Sequence, residues 1–118
     1  MNDLQGKHIV LGLSGGIACY KAAELCRALI KEGATVQVVM TAAAEQFITP
    51  VTMQALSNRT VYGSQWDSRE PNNMPHINLS READAILIAP CSADFMVKLV
   101  HGGADELLSL MCLARPTD

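Results

Sequence analysis

Three short, continuously apolar runs, each followed by a stretch with helical periodicity, constrain the fold of this chain more than any other feature of its sequence. The runs are HIVLGL at 8–13, TVQVVM at 35–40 and AILIAP at 85–90. Strands that are buried on both faces have this composition, whereas strands with one solvated face alternate between apolar and polar residues. Strands of this kind between helices predict an α/β fold with a doubly wound parallel sheet.

The segments between the runs predict helices. At 17–31, charged and apolar residues fall on opposite faces of a helix, and Gly33 is placed to end it. The string TAAAEQFI, which begins at Thr41, predicts a second short helix that Pro50 stops or redirects. Two further segments have helical patterns, 92–101 and 104–113.

The whole chain has 118 residues, which suffices for one hydrophobic core, so we expect residues 1–118 to form one domain. The stretch at 57–75 is rich in Asn, Ser, Gly, Pro and charge, and it predicts a long irregular connection. Because the apolar runs supply only three strands, a thin sheet for this class of fold, we expect the domain to be truncated on its C-terminal side.

Charge and composition argue against several classes of protein. The formal net charge of -3 gives no basic field that would attract nucleic acid or an anionic membrane. No run approaches the roughly 20 apolar residues that span a bilayer, and the N-terminus lacks the features of a secretory signal. The four cysteines form no CxxC pair and lack zinc-site spacing, so we predict no metal site and reduced thiols in the cytoplasm.

The first apolar run ends in GLSGG, and helical character begins at once. In doubly wound folds, ligands bind at the carboxyl ends of the strands, where this turn would lie. Glycines let a ligand approach the backbone, and the N–H groups and dipole of the following helix favour an anion. The hydroxyl of Ser14 can add a hydrogen bond. The segment Gly12–Gly16 therefore predicts a phosphate site.

Two other interpretations of this turn stay open. The string GLSGG also matches the G-x-S-x-G nucleophile elbow of serine hydrolases, with Ser14 as nucleophile and His76 or His101 as base, although almost nothing precedes the first strand to complete an oxyanion hole. The turn can also be purely structural. The second strand ends in Met40-Thr41 rather than in a carboxylate for a ribose, which favours a mononucleotide phosphate or another small anion over NAD.

Two long strings resemble one family. GLSGGIACYKAAELCRALIKEGATVQVVMTAAAEQFITP and MPHINLSREADAILIAPCSADFMVKLVHGGADELLS are similar to the N-terminal and central segments of the flavin-dependent cysteine decarboxylases. Each motif is short, but their order and spacing over nearly the whole chain are specific. Within the family, the resemblance is greatest to the enzymes that decarboxylate 4'-phospho-N-pantothenoylcysteine in coenzyme A biosynthesis.

The resemblance implies a flavodoxin-like fold and FMN as the cofactor. The segment from Pro90 matches the family's Pro-Ala-Ser-Ala-Asn motif, with Cys91 in place of alanine and Asp94 in place of asparagine. The residues implied for cofactor binding follow the three predicted strands: Ser14, Gly15, Gly16, Ile17, Thr41, Phe47, Ser92, Ala93 and Asp94.

The resemblance also implies a catalytic role for His76, which matches the active-site histidine in the string HINL. A histidine suits proton transfer near neutral pH. The implied chemistry is redox-assisted: the substrate's cysteine thiol is oxidised by FMN, CO2 leaves, and the electrons return to give 4'-phosphopantetheine. We expect His101 to be structural at a helix C-terminus and Asp105 to cap a helix.

The family builds its flavin sites between subunits, so the resemblance implies a homo-oligomer, as a trimer or an assembly of trimers. Residues 1–118 contain no counterpart of the ligase domain, of the family's Pro-x-Met-Asn motif or of its flap cysteine, so this segment alone is expected to turn over poorly. Alternatives in the same group are a flavin prenyltransferase, a peptidyl-cysteine decarboxylase and a non-catalytic FMN-binding regulatory subunit. The string HINL favours the cysteine decarboxylases, and His76 argues against the regulatory subunit.

Overall fold

The computed structural model describes residues 4–63, 81–103 and 107–114, without the side chains of Leu110 and Ala114. Three parallel strands form one sheet in the order β2-β1-β3. The strands are β1 (His8–Leu13), β2 (Thr35–Met40) and β3 (Ala85–Ile88). The predicted parallel sheet is confirmed, and β1 lies at its centre.

Helices cover both faces of the sheet. They are α1 (Cys19–Lys31), α2 (Pro50–Ser57), α3 (Ala93–His101) and α4 (Leu107–Ala114), with a 3₁₀ turn at Ala44–Gln46. Three of these helices were predicted to within one helical turn at each end. Within the described ranges, no helix has both the length and the apolar content needed to cross a lipid bilayer.

The prediction that Pro50 stops or redirects a helix is wrong. Pro50 begins α2, and Thr49 caps it, with its Oγ1 accepting a hydrogen bond from the Thr52 N–H at 3.2 Å. Proline suits the first position of a helix because its fixed φ matches the helix and its missing N–H would have no helical partner there. The helix predicted from Thr41 is reduced to the 3₁₀ turn at Ala44–Gln46.

One face of the sheet packs against α1 and α2. Alternate residues of the strands meet small side chains of α1, which lets the helix lie close to the sheet. The buried members of this core include Leu11, Leu13, Val36, Val38 and Met40 from the strands and Cys19, Ala22, Cys26 and Met53 from the helices.

The other face packs against α3 and α4 through a second core of Val10, Val39, Phe95, Leu107, Leu108 and Met111. Gly12 belongs to this face, and a Cβ at that position would lie 2.5 Å from Cδ1 of Leu108. Gly12 therefore allows α4 to approach β1. Burial on both faces explains why β1 and β2 are apolar without alternation.

The two edges of the sheet differ. On the outer side of β2, the Tyr62 N–H donates to the Val38 carbonyl at 3.2 Å, and the Met40 N–H donates to the Tyr62 carbonyl at 3.0 Å. In the described part of the chain, no strand pairs with the outer side of β3, and Leu87 is 38% exposed. Within the described ranges, the β2 edge is thus partly covered by Tyr62, and the β3 edge has no neighbouring strand.

Candidate functional site

The turn between β1 and α1 occupies residues 14–18 at the carboxyl edge of the sheet. The Cys19 N–H donates to the Gly16 carbonyl at 3.0 Å, and this bond opens the helical series. The N–H groups of residues 15–18 have no backbone acceptor among the residues that the structure describes. These groups are partly or fully exposed, so the turn presents unpaired donors where the helix dipole favours an anion.

Two glycines let this turn adopt its shape. A Cβ at Gly15 would lie 2.8 Å from Cβ of Ala43, in the loop after β2, so a side chain would push the two loops apart. Gly16 has φ +148°, a backbone conformation that favours glycine. The turn therefore depends on glycine at both positions, one for the close approach of Ala43 and one for its backbone conformation.

The loop after β2 forms the second part of the site. Thr41 is 4% exposed, its N–H donates to the Leu13 carbonyl at 3.0 Å, and its Oγ1 accepts from the Ala44 N–H at 3.1 Å. Phe47 is 51% exposed, although it is large and apolar. Thr41 fixes this loop to the end of β1, while Phe47 offers an apolar surface.

The segment after β3 forms the third part, and Ser14 joins it to the turn. The hydroxyl of Ser14 donates to the Pro90 carbonyl at 2.6 Å and accepts from the Ser92 N–H at 2.7 Å. The Ser14 N–H also donates to the Pro90 carbonyl, at 3.1 Å. Ser14 is 1% exposed. A buried hydroxyl whose proton is already donated is a poor nucleophile, so this geometry does not favour the hydrolase interpretation.

Ser92, Ala93 and Asp94 begin α3. Ser92 is the N-cap, with its Oγ accepting from the Phe95 N–H at 3.1 Å. Ala93 is exposed, and the Asp94 carboxylate is 84% exposed and lies 3.8 Å from Nζ of Lys98. An exposed pair at this distance contributes little to stability, so Asp94 is free to reorient.

Two cysteines, Cys19 and Cys91, belong to the segments that form this site. Cys19 is fully buried beneath the turn, and its Sγ donates to the Ser14 carbonyl at 3.3 Å. Burial raises the pKa of the Cys19 thiol, with a smaller opposing contribution from a backbone hydrogen bond to Gly16. Cys19 therefore stays protonated as a donor. Cys91 is half-buried, and no disulfide joins the cysteines of the described residues.

The structure brings together the three predicted cofactor-binding segments, at 14–17, 41–47 and 92–94, on one edge of the sheet. His76 and Asp105 lie outside the described residues, as does most of the irregular connection predicted at 57–75, so their roles stay predictions. His101 is exposed at the last position of α3, followed by Gly102 with φ +71°. That position agrees with the expected structural role of His101.

Sequence reasoning missed Ala43, whose contact with Gly15 joins two loops of the site. The run of small residues after Thr41 was a usable indication, because small side chains permit close backbone approach. No local sequence pattern indicates the partners of the Ser14 hydroxyl, since they lie 76 and 78 residues away in the sequence.

A doubly wound parallel sheet with a glycine turn of unpaired N–H groups at its carboxyl edge defines a nucleotide-binding α/β protein of the flavodoxin-like type. The comparison with known families agrees with this class. The chain belongs to the Flavoprotein family, whose model matches residues 1–116.

Named relatives cover nearly all of the chain. It is 52% identical over 114 residues to the coenzyme A biosynthesis bifunctional protein CoaBC of Vibrio cholerae, and the match covers 97% of this chain and 29% of that protein. It is 45% identical over 112 residues to the probable phosphopantothenoylcysteine decarboxylase of Streptococcus mutans, covering 95% of this chain and 63% of the relative. The chain thus spans less than a third of the length of the CoaBC relative.

Solved structures share the fold. The FMN-dependent cysteine decarboxylase SpaF superposes with a TM-score of 0.88 at 24% identity, over 96% of this chain and 65% of that one. HAL3 from Cryptococcus neoformans superposes with a TM-score of 0.75 at 31% identity, over 93% of this chain and 65% of that one. The flavodoxin-like arrangement predicted from the sequence is confirmed.

Proposed function

We propose that this chain forms the FMN-binding part of a phosphopantothenoylcysteine decarboxylase, which converts 4'-phospho-N-pantothenoylcysteine to 4'-phosphopantetheine in coenzyme A biosynthesis. The observation that carries the proposal is the set of N–H groups at residues 15–18 that have no backbone acceptor in the described part of the chain, in a turn that adjoins the Ser92 segment. The names of the relatives at 52% and 45% identity supply the substrate and the reaction.

The residues of the turn fit the phosphate of FMN. Backbone N–H groups that meet a dianion form charge-assisted hydrogen bonds, and the N-terminus of α1 adds its dipole. Gly15 and Gly16 add no side chains of their own to this turn, so a ligand can approach its backbone closely. In this proposal the turn from Ser14 to Ile17 binds the phosphate end of the cofactor.

The remaining predicted residues flank the rest of the cofactor. Thr41 and Phe47 line one side after β2, and Ser92, Ala93 and Asp94 line another after β3. When bound, FMN supplies reversible two-electron redox chemistry. The protein's part is to orient the cofactor with backbone donors and to exclude water with apolar side chains such as that of Phe47.

His76 is proposed to handle the proton transfers of the reaction, because a neutral imidazole accepts and returns a proton near neutral pH. We also propose a cytoplasmic homo-oligomer, a trimer or an assembly of trimers. The exposure of two large apolar side chains near the turn, 78% for Ile17 and 51% for Phe47, supports a site that a second subunit completes.

The test uses the full-length protein. Purified protein should be yellow, release FMN on denaturation and liberate CO2 from 4'-phospho-N-pantothenoylcysteine. His76→Asn should keep FMN bound and slow CO2 release at least about a hundredfold, as expected for the loss of a general acid or base. The matched control is His101→Asn, at the exposed end of α3, which should retain full turnover.

Three outcomes would contradict the proposal or part of it. A colourless protein in which a fluorophosphonate labels Ser14 would favour a serine hydrolase. Undiminished CO2 release by His76→Asn would remove the catalytic role of His76, and flavin binding without any turnover by the wild type would favour a regulatory flavoprotein.

A further inference from the structure

The hydroxyl of Ser14 is fully engaged inside the protein. It gives its only proton to the Pro90 carbonyl at 2.6 Å, and it receives the Ser92 N–H at 2.7 Å. A serine hydroxyl has one proton to donate, so none remains for a bound anion. With 1% of Ser14 exposed, a ligand in front of the turn also has no access to its side chain.

The same hydroxyl joins two parts of the site that are far apart in sequence. The backbone of Ser14 belongs to the turn at residues 14–18. The hydrogen-bond partners of its hydroxyl, Pro90 and Ser92, lie in the segment that leads into α3. Ser92 also links this segment to α3, because its Oγ accepts a hydrogen bond from the Phe95 N–H at 3.1 Å and caps that helix. The position of Ser92 and Ala93 relative to the turn therefore depends on Ser14.

We infer that Ser14 is a positioning residue that does not contact the phosphate. Its hydroxyl fixes the segment at 90–92 against the phosphate-binding turn, and this also places the adjacent Ala93. This inference rests on the proposed function, since it takes FMN as the ligand. It reassigns Ser14 from the phosphate end of the site to the segment proposed to lie along the rest of the cofactor.

Riboflavin distinguishes positioning from direct contact, because it lacks the phosphate of FMN. If Ser14 binds the phosphate, Ser14→Ala weakens FMN binding and leaves riboflavin binding unchanged. If Ser14 positions the segment at 90–92, Ser14→Ala weakens both ligands by the same factor, about tenfold for two lost hydrogen bonds. The bound flavin should then also show a shifted absorption spectrum.

Ser57 offers a matched control. It is 6% exposed, and its hydroxyl donates to the Arg59 carbonyl and accepts from the Arg59 N–H, both at 3.3 Å, far from the site at the end of α2. Ser57→Ala removes the same kind of buried hydroxyl, so it should lower thermal stability while leaving both flavin affinities unchanged. A general loss of stability is thereby separated from a loss of positioning.

The experiment measures the Kd of FMN and of riboflavin for the full-length apoprotein and its variants. If Ser14→Ala does not fold, Ser14→Cys carries the same test, because cysteine fills the space and keeps only weak hydrogen bonds. A loss confined to FMN, or no change for either flavin, overturns the inference. Failure of the wild type to bind FMN would remove the proposed function as well, and the two failures are therefore distinguishable.

Discussion

The two ends of the sheet differ in whether their backbone groups have partners within the described part of the chain. At the amino end of the strands, the His8 N–H donates to Oδ2 of Asp84 at 2.7 Å, and the Asp84 N–H donates to the His8 carbonyl at 2.7 Å. Nδ1 of His8 lies 2.6 Å from Oγ1 of Thr35. At the carboxyl end, the N–H groups of residues 15–18 have no backbone acceptor in the described part of the chain.

This difference shows which polar features point to a ligand. Both ends are rich in polar atoms, so polarity alone does not distinguish them. Buried backbone groups are usually paired within the protein, whereas exposed N–H groups at the start of a helix can bind either water or a ligand. The paired end therefore stabilises the fold, and the unpaired end is available for binding.

The largest expected effect comes from placing a methyl group in the turn. Gly15→Ala puts a Cβ 2.8 Å from Cβ of Ala43, which forces the turn away from the loop after β2 and misaligns its N–H groups. We expect the Kd of FMN to rise about a hundredfold, since bonds to a charged group are strong and depend on geometry. Fluorescence titration of the full-length apoprotein measures this change.

Gly6→Ala is the matched control at the amino end. Gly6 has φ +78° and no atom within 4 Å of an added Cβ, so the substitution introduces backbone strain without a clash. It should lower the free energy of unfolding by about 1 kcal/mol and leave FMN affinity unchanged. Equal effects of the two substitutions on FMN binding would contradict the assignment of binding to the carboxyl end alone.

Two helix caps give a smaller effect. Ser92 caps α3 inside the site, and Thr49 caps α2 outside it, each through a side-chain oxygen that accepts from a backbone N–H. Ser92→Ala and Thr49→Ala should each lower the free energy of unfolding by about 1 kcal/mol, measured with urea. Only Ser92→Ala should also change the absorption spectrum of bound flavin. A spectral change in both variants would contradict the boundaries of the site.

The smallest expected effect is a dependence of stability on pH at the amino end. Burial lowers the pKa of His8, the charge of Arg59 lowers it further, and Glu82 and Asp84 oppose the shift. Nε2 of His8 is buried and has no hydrogen-bond partner within the described ranges, so protonation there is unfavourable.

The unfolded state therefore binds a proton more readily than the folded state. The stability that neutral His8 contributes is fully present above its unfolded pKa of 6.5 and is lost as the pH falls through that value toward the folded pKa. Because His8 is half-exposed, the change should stay below about 1 kcal/mol. Urea unfolding at about pH 5 and about pH 7.5 should show it in the wild type and not in His8→Gln; an equal pH dependence in both would contradict the assignment.

Local patterns predicted the first two strands well. The bounds of β1 and β2 match the predicted 8–13 and 35–40, because burial on both faces demands unbroken apolar runs. The third strand ends at Ile88 rather than at Pro90, whose carbonyl accepts from Ser14 instead of continuing the strand. The helix α2 was missed because a Thr-Pro pair can end one helix or begin another, and tertiary packing decides between them.

Part of the site was predictable, because that part also follows from a local sequence pattern. The glycine turn follows from a local string, but the bonds of the Ser14 hydroxyl reach across 76 and 78 residues, and no spacing rule encodes them. The sequence predicted Ser14 as a cofactor ligand because a serine between glycines resembles a phosphate loop. Only the folded chain shows that its proton is donated to Pro90.

The two edges of the sheet differ in how readily they could accept a further strand. Tyr62 already pairs with the backbone groups of Val38 and Met40, so the carboxyl half of the β2 edge is occupied. Among the described residues, no strand pairs with the outer side of β3, and an edge of this kind is where a further strand adds to a sheet. A strand that widened this sheet would therefore lie beside β3.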